Sequence, residues 1–225
     1  MNNSYRIKLR ILFSAAIVFG LNCCFLGTNL ADEPSQSGEK TLKKATFGGG
    51  CFWCTEAVFQ RMQGVEKVVS GYSGGHVENP TYKQVTGMST GHAEVIQISY
   101  DPAAVEYKEL LEVFWKTHDP TTINQQGADR GPQYRSVIFY HDDEQKELAE
   151  LYKKKLGASK YFSRPIVTKI EPLTNFYEAE DYHQNYFNQN RSNPYCQAVV
   201  ASKVAKFRQI FGSKAKDEGD VLNPP

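Results

Sequence analysis

The sequence predicts an α+β domain built on one sheet, and three observations support this prediction. Short runs with strand character alternate with helical patterns in the order β-α-β, loop, β-α-β. Glycine, proline and asparagine cluster between several of these runs. The 225 residues are 40% hydrophobic and 12% aromatic, which is enough for one buried core. We therefore expect an α/β protein with a ferredoxin-like split β-α-β core, a mainly antiparallel sheet with helices on one face, and an irregular C-terminal third.

The first half of this core begins with "KKATF", a short strand that leads into three glycines. Phe52, Glu56 and Phe59 then recur about one helical turn apart, and Gly64 ends the pattern. The predicted elements are a strand at residues 43–47, a helix at 52–62, a strand at 65–72, a turn-rich loop at 73–82 and a strand at 91–102.

The second half repeats this order and then extends it. "EYKELLEVFWKTH" is an amphipathic helix and "RSVIFYH" is a strand. From about Pro172 the chain is rich in Asn, Gln and Tyr and shows no clear periodicity before its last helix. The predicted elements are a helix at residues 106–118, a strand at 135–141, a further helix at 143–156, a strand at 166–170 and a terminal helix at 202–211.

The first 31 residues are typical of an export signal. Basic residues at 6–10 precede an apolar run at 11–26, which is shorter than the roughly 20 residues of a spanning helix. We expect a signal peptide at 1–31, a polar linker at 32–42, the functional domain at 43–212 and a C-terminal tail at 213–225. The protein would then be exported to a periplasmic or other extracytoplasmic compartment. An uncleaved membrane anchor or a lipid anchor at Cys23 is the alternative.

Charge and cysteine content narrow the function. The net charge of +1 creates no field that attracts nucleic acid. Removal of the signal peptide would leave Cys51, Cys54 and Cys196. Three cysteines in an oxidising compartment are a poor structural framework, because at least one stays unpaired within the chain. This odd number favours a thiol that cycles between redox states.

Cys51 is the candidate nucleophile. The strand, glycine and helix pattern places it at a helix N-terminus, where unpaired N–H groups and the helix dipole lower the pKa of a thiol. The preceding glycines would allow a sharp turn that exposes the sulfur. The alternatives are a buried, unreactive cysteine and a zinc site with Cys54. A zinc site would need further ligands, and no second cysteine pair is present at the usual spacing.

Glu94 is the candidate acid. In the strand "GHAEVIQISY", Glu94 shares a face with Ile96 and Ile98. A carboxyl group in an apolar layer has a raised pKa and remains protonated near neutral pH, so that it can donate a proton. The alternative is an exposed glutamate at a sheet edge, with the alternation shifted by one residue.

These residues lie in a chain that resembles the A class of peptide methionine sulfoxide reductases from about residue 45 to residue 211. The segments that carry the resemblance are "GGGCFWCTEAVFQRMQGV", "SGYSGGHVENPTY", "TGHAEVIQISYDP", "FWKTHDPT", "QGADRGPQYRSVIF" and "FYEAEDYHQNYF". It implies thiol-dependent reduction of methionine S-sulfoxide, free and in proteins, as a repair step after oxidation. The enzyme would be a peptide-methionine (S)-S-oxide reductase.

The resemblance also implies roles for individual residues. Cys51 would attack the sulfoxide sulfur and become a sulfenic acid, and Glu94 would protonate the oxygen. Tyr82 and Tyr134 would bind that oxygen. A resolving thiol would then form an intramolecular disulfide with Cys51. The substrate-binding residues would be Phe52 and Trp53 around the methyl group, together with Asp129 and Tyr195.

The resolving thiol is either Cys196 or Cys54. Cys54 stands where the family often has glycine, and it forms a C-x-x-C motif with Cys51. We favour Cys196, because "NRSNPYCQ" has no helical pattern and a loop could swing towards Cys51. Cys54 would lie among the packed surroundings of a helix, where a thiol is less acidic and attacks slowly.

The resemblance implies no bound cofactor and no metal, and it implies an external dithiol reductant such as thioredoxin or a similar protein. The expected partners are oxidised proteins, free methionine sulfoxide and that reductant, and we expect a monomer. Two other functions fit parts of the sequence. The C-x-x-C motif is typical of thiol–disulfide oxidoreductases, but the element order and the strand with Glu94 argue against that class. A non-catalytic module that binds oxidised proteins would not need Cys51 and Glu94 together.

Overall fold

The computed structural model describes residues 41–222. The predicted signal peptide and residues 32–40 of the predicted linker lie outside the described residues. Among the helices of residues 41–222, none is long and apolar enough to span a membrane.

The described domain is organised around one six-stranded sheet. Its strands are β1 (Lys43–Gly49), β2 (Val65–Ser73), β3 (Ala93–Tyr100), β6 (Ser136–Tyr140), β7 (Lys169–Pro172) and β8 (Tyr177–Glu178), while β4 (Gln125–Gln126) and β5 (Asp129–Arg130) form a separate hairpin. The order of the strands across the sheet is β7-β6-β1-β3-β2-β8. The four central strands are antiparallel and have the order expected of a ferredoxin-like fold. β7 adds in parallel to β6, and β8 adds antiparallel to β2. The predicted fold class is confirmed.

The helices are α1 (Phe52–Phe59), α2 (Tyr82–Thr86), α3 (Tyr107–Thr117), α4 (Asp143–Ala158), α5 (Tyr186–Gln189), α6 (Ala201–Phe211) and α7 (Glu218–Leu222). The alternation in β3 sets the two faces of the sheet. Ile96 and Ile98 belong to the main core together with apolar residues of α1 and α3. Ala93 and Val95 belong to a smaller cluster on the opposite face. The predicted alternation is therefore confirmed, and Glu94 points to the side of the main core.

Several boundaries differ from the prediction. β1 continues through Gly48 and Gly49 instead of ending at residue 47, since these glycines pair with β6. A Cβ on Gly48 would lie 2.8 Å from Val137 Cγ1, so this central strand has no room for a larger residue. The predicted strand at 166–170 is found at Lys169–Pro172, and α1 ends at Phe59 before the predicted residue 62.

A short helix, α2, begins at the end of the predicted loop. Thr81 and Gln84 form a reciprocal capping box, in which the Thr81 hydroxyl accepts from the Gln84 N–H and the Gln84 side chain accepts from the Thr81 N–H. This pattern of threonine followed three residues later by glutamine was present in the sequence. Its consequence is that Tyr82 occupies the first turn of a helix and not a loop.

The C-terminal third contains more regular structure than predicted. Cys196–Val200 forms a π-helical turn that continues directly into α6. The expectation that Cys196 lies in a segment without helical structure was therefore wrong. Residues 212–222 fold back onto the domain: the Lys216 N–H donates to the Arg61 carbonyl oxygen at 2.8 Å, and Arg61 forms an ion pair with Glu218.

Candidate active site

The sharp turn between β1 and α1 places Cys51 immediately before the helix. Gly50 has φ +95°, and a Cβ at this position would lie 2.5 Å from the side chain of Gln126. Only glycine fits this backbone and this close approach. The Cys51 side chain is only 7% exposed. The glycines therefore allow the turn, but they do not leave the sulfur open to solvent as the sequence suggested.

Cys51 lies on the wall of a cavity of about 180 Å³. Every predicted site residue except Cys54 and Cys196 lines this cavity. The lining residues are Cys51, Phe52, Trp53, Tyr82, Glu94, Asp129, Tyr134 and Tyr195. Residues from β1–α1, α2, β3, the β4–β5 hairpin and the C-terminal third therefore converge on one thiol.

Glu94 is a buried acid at this cavity. Its side chain is enclosed, and its Oε2 accepts the Phe52 N–H at 3.1 Å. Burial raises the pKa of Glu94 well above its usual value, and the negative charge of a Cys51 thiolate raises it further. The raised pKa of Glu94 favours its neutral carboxyl form, which can donate a hydrogen bond or a proton.

The two phenols at the cavity also retain their protons. Burial raises the pKa of Tyr82 to about 12 and raises that of Tyr134 as well. Glu180 holds Tyr82 in place, because its Oε1 accepts the Tyr82 N–H at 2.8 Å. Its Oε2 accepts the hydroxyl of Tyr72 at 2.9 Å, so that one carboxylate links α2 to β2. The cavity thus contains the O–H groups of Glu94, Tyr82 and Tyr134 in addition to the Tyr195 hydroxyl, and no lysine or arginine is among its lining residues.

The aromatic side chains around Trp53 form another part of the site. The Trp53 Nε1–H donates to His183 Nδ1 at 3.1 Å. The ring of Tyr186 stacks on Trp53, with centroids 3.7 Å apart and planes 6° apart. The ring of Phe52 lies 5.0 Å from that of His183. His183 therefore orients the ring of Trp53.

The three described cysteines are free thiols. Burial raises the pKa of Cys51, and the neighbouring Cys54 adds to the effect. This is opposite to the lowering that the helix N-terminus predicted, because desolvation outweighs the helix dipole. The hydrogen bond with Cys51 is the main cause of a lowered pKa at Cys54. This hydrogen bond favours the thiolate of Cys54 over that of Cys51, and the expected poor acidity of Cys54 was wrong.

Tyr195 connects the thiols to the polar side of the site. Its hydroxyl donates to Asp129 Oδ2 at 2.7 Å and lies 3.9 Å from Cys54 Sγ. Cys196, the next residue, is fully enclosed by the core and does not line the cavity. No group of histidine, cysteine or acidic side chains that could hold a metal ion occurs among residues 41–222.

Comparison with known proteins identifies this arrangement. Residues 43–215 match the family model described as "Peptide methionine sulfoxide reductase". The chain belongs to this family. The reductase is 57% identical to peptide methionine sulfoxide reductase MsrA 1 of Rhodopirellula baltica over 85% of this chain and 97% of that protein. It is 50% identical to MsrA of Saccharolobus solfataricus over 78% of this chain and 98% of that protein.

Solved structures agree with these sequence comparisons. The crystal structure of reduced Mxr1 from Saccharomyces cerevisiae matches with a TM-score of 0.63 and 36% identity, covering 70% of this chain and 94% of that one. Methionine sulfoxide reductase A of Corynebacterium diphtheriae matches with a TM-score of 0.61 and 35% identity, covering 68% and 77%. The reductase therefore catalyses the thiol-dependent reduction of methionine S-sulfoxide, a protein repair reaction.

The sequence did not indicate the residues that hold the cavity-lining side chains in place without lining the cavity themselves. Glu180 and Tyr186 hold Tyr82 and Trp53, respectively. Glu56 supports Tyr186, because its carboxylate accepts the Asn185 N–H at 2.7 Å and the Tyr186 N–H at 3.2 Å. These contacts join segments about a hundred or more residues apart, and no local pattern reveals them.

Proposed function

We propose that Cys51 is the nucleophile of the reductase and that Glu94, Tyr82 and Tyr134 stabilise the sulfoxide oxygen. The observation that carries this assignment is the convergence of one thiol and three neutral O–H donors on a single cavity. The oxygen gains negative charge as the sulfur is attacked. Donors that are already oriented stabilise this charge without reorganisation.

The reaction begins when the proton shared by the two thiols moves towards Cys54 and leaves Cys51 as a thiolate. Cys51 Sγ attacks the sulfoxide sulfur and forms an S–S bond, and the oxygen takes a proton from Glu94. The resulting hydroxyl then moves from the substrate sulfur to Cys51 Sγ, the S–S bond breaks with its electron pair going to the substrate sulfur, and methionine leaves. Cys51 is left as a sulfenic acid. Phe52 and Trp53 enclose the substrate methyl group, which offers only area and shape for recognition.

Asp129 and Tyr195 hold the polar part of the substrate through their joined oxygens. Because the cavity fixes the methyl group and the oxygen together, it distinguishes the two sulfoxide epimers. Cys54 and Cys196 are the resolving thiols that convert the sulfenic acid into a disulfide. An external dithiol protein of the thioredoxin type then reduces this disulfide, and no prosthetic group takes part.

The N-terminal pattern supports export of the enzyme, which would then repair oxidised proteins and free methionine sulfoxide outside the cytoplasm. We propose that it acts as a monomer. Sequencing the N-terminus of the mature protein from fractionated cells tests this assignment. A mature chain that starts at residue 1 or 2 in the cytoplasmic fraction would contradict it.

The central experiment is a single-turnover assay without reductant. The wild type should release one equivalent of methionine from the S-epimer and very little from the R-epimer. Cys51→Ser should release none, because a hydroxyl is a poor nucleophile towards sulfoxide sulfur. Circular dichroism establishes that the variant is folded. Methionine release by folded Cys51→Ser would overturn the assignment of the nucleophile.

A further inference from the structure

Cys54 lines a second cavity, of about 190 Å³, that also reaches the thiol pair. It shares Cys51, Asp129 and Tyr195 with the substrate cavity but includes Cys54 and Lys203 in addition. The remaining wall consists largely of small residues such as Gly127 and Ala198. The thiols are therefore bordered by one cavity that contains the acid and the phenols and by another that contains an amine.

Lys203 is a lysine that lines the same cavity as the thiols of Cys51 and Cys54. It projects from α6, and its Nζ donates to the Thr117 carbonyl oxygen at 3.3 Å. None of the ion pairs found within residues 41–222 includes Lys203. Burial lowers the pKa of Lys203, and the negative charge of Cys54 is the main effect that opposes this lowering. Cys51 and the Asp129 carboxylate, which line the same cavity, oppose the lowering to a smaller extent. The thiolate of Cys54 is thus the main charge that this cation balances.

We propose that Lys203 is the positioning residue that holds Cys54 as a thiolate, so that Cys54 and not Cys196 first attacks the sulfenic acid formed on Cys51. The inference rests on the proposed role of Cys51 and specifies the step that follows it. Lys203 does not touch the substrate; it acts through Cys54.

This step joins the sulfurs of Cys51 and Cys54 and releases water. Cys54 Sγ attacks Cys51 Sγ, an S–S bond forms and the Cys51 S–O bond breaks. The leaving oxygen takes the proton that Cys54 gave up and departs as water. Both sulfurs end in a disulfide, and the oxidising equivalent is the one that the sulfoxide delivered to Cys51.

The backbone at Cys51 favours Cys54 as the partner. Side chains three residues apart on a regular helix have Cβ atoms about 5–6 Å apart, whereas a disulfide needs about 3.5–4.5 Å. Cys51, however, precedes the helix with φ −52° and ψ 124°, so that its own backbone is not helical, although its carbonyl oxygen accepts the Cys54 N–H at 3.1 Å. Adjustment of the backbone and side chain of Cys51 can therefore bring the two sulfurs together without breaking the body of the helix.

Cys196 must undergo a larger change. Its side chain is fully buried, and its residue begins the π-helical turn that leads into α6. The side chain of Asn193 accepts the N–H groups of both Tyr195 and Cys196. These contacts must break before Cys196 can reach Cys51. Cys196 therefore acts second, by attacking the Cys51–Cys54 disulfide.

The test measures the order in which disulfides form and the acidity of Cys54. Wild-type enzyme is mixed with one equivalent of methionine S-sulfoxide, quenched with acid over a time course, alkylated and mapped by mass spectrometry. A Cys51–Cys54 bond should appear first, and a bond to Cys196 should appear later. A Cys51–Cys196 bond that forms first would overturn the proposal, and this measurement needs no variant.

The role of Lys203 is tested with Lys203→Met, which keeps the length of the side chain and removes the charge, in a Cys196→Ser background. We expect the pKa for alkylation of Cys54 to rise by about one unit. The thiolate fraction below that pKa then falls tenfold, while the intrinsic nucleophilicity rises about threefold. Disulfide formation should therefore slow about three- to fourfold at neutral pH, and more of the sulfenic acid should be trapped by dimedone.

Two matched variants complete the experiment. Lys203→Arg retains the charge and should restore the alkylation profile, while Lys206→Met removes an exposed lysine from the same helix and should leave the profile unchanged. An alkylation pKa that Lys203→Met does not alter would refute the inference. The proposed role of Cys51 is judged separately by the methionine burst, which should stay at one equivalent in every Lys203 variant. Loss of this burst from the wild type would refute the proposed function itself.

Discussion

Glu56 is a buried carboxyl group that holds Tyr186 beside Trp53, and its titration should make the stability of the fold depend on pH. Its side chain lies in the core, only 1% exposed, and its two carboxylate oxygens accept the N–H groups of Asn185 and Tyr186. Tyr186 in turn stacks on Trp53. Burial raises the pKa of Glu56 from 4.5 to about 7, so that its ionisation falls within the ordinary working range of an enzyme.

The direction of the effect on stability follows from this shift. The folded protein holds the Glu56 proton more tightly than the unfolded chain does, so the stabilising contribution is fully present below about pH 4.5 and is lost as the pH rises through about 7. A shift of about 2.5 units corresponds to about 3 kcal/mol in the free energy of unfolding. Of this, about 2.5 kcal/mol should be lost between about pH 5 and pH 8.

Glu56→Gln removes the titration and keeps the shape. The amide can accept only one of the two N–H groups and turns its own NH2 towards the other, which should cost about 1–3 kcal/mol at low pH. The wild type loses the Glu56 contribution as the pH rises and the variant does not. The difference in stability between them should therefore shrink by about 2.5 kcal/mol from about pH 5 to pH 8.

Urea denaturation followed by circular dichroism at several pH values measures this difference. Glu147→Gln, which changes an exposed glutamate on α4, is the control for the loss of one acidic side chain. A constant difference between wild type and Glu56→Gln would show that burial does not perturb Glu56 as the structure indicates.

Three further predictions concern the active site. Glu94→Ala should slow methionine release in a single turnover about a hundred- to a thousandfold, and Glu94→Gln should slow it less because an amide still donates a hydrogen bond; equal rates for wild type and Glu94→Ala would remove Glu94 from the mechanism. Gly50→Ala should destabilise the fold by about 1–3 kcal/mol in denaturant melts, because φ is +95° and Gln126 occupies the space; an unchanged midpoint would refute this account. Tyr186→Ala should raise KM for methionine sulfoxide about threefold to tenfold through loss of the stack on Trp53, whereas Tyr186→Phe should keep it near the wild-type value; equal KM values for the two variants would count against the stack.

Local patterns in the sequence predicted the sheet and its faces well. The alternation in β3 requires Glu94 to share a face with Ile96 and Ile98, and the structure places all three on the side of the main core. The order of elements fixed the antiparallel arrangement of the central strands, because the ferredoxin-like connections leave few other topologies. These features depend on residues that are near each other in the chain.

The properties that the sequence could not give depend on burial and on distant contacts. The helix N-terminus alone predicts a lowered pKa for Cys51, but desolvation reverses the sign once the core closes around it. The loop-like composition around Cys196 predicts mobility, yet the segment packs as a π-helical turn against the core. In both cases a local rule was overruled by the packing of segments far apart in sequence.

The electrostatics of the site account for the use of neutral donors. A Cys51 thiolate raises the pKa of Glu94, so the acid is held protonated when the nucleophile is charged and a donor is needed. In the proposed mechanism, a cationic donor in the same cavity would stabilise the thiolate and weaken its attack, whereas Glu94, Tyr82 and Tyr134 would stabilise mainly the charge that develops on the oxygen. After Cys51 becomes a neutral sulfenic acid, it no longer raises the pKa of Glu94. The Glu94 carboxylate that is left after proton transfer is therefore less destabilised. Lys203, the cation that we propose for the disulfide step, lines the other cavity, where it lowers the pKa of Cys54.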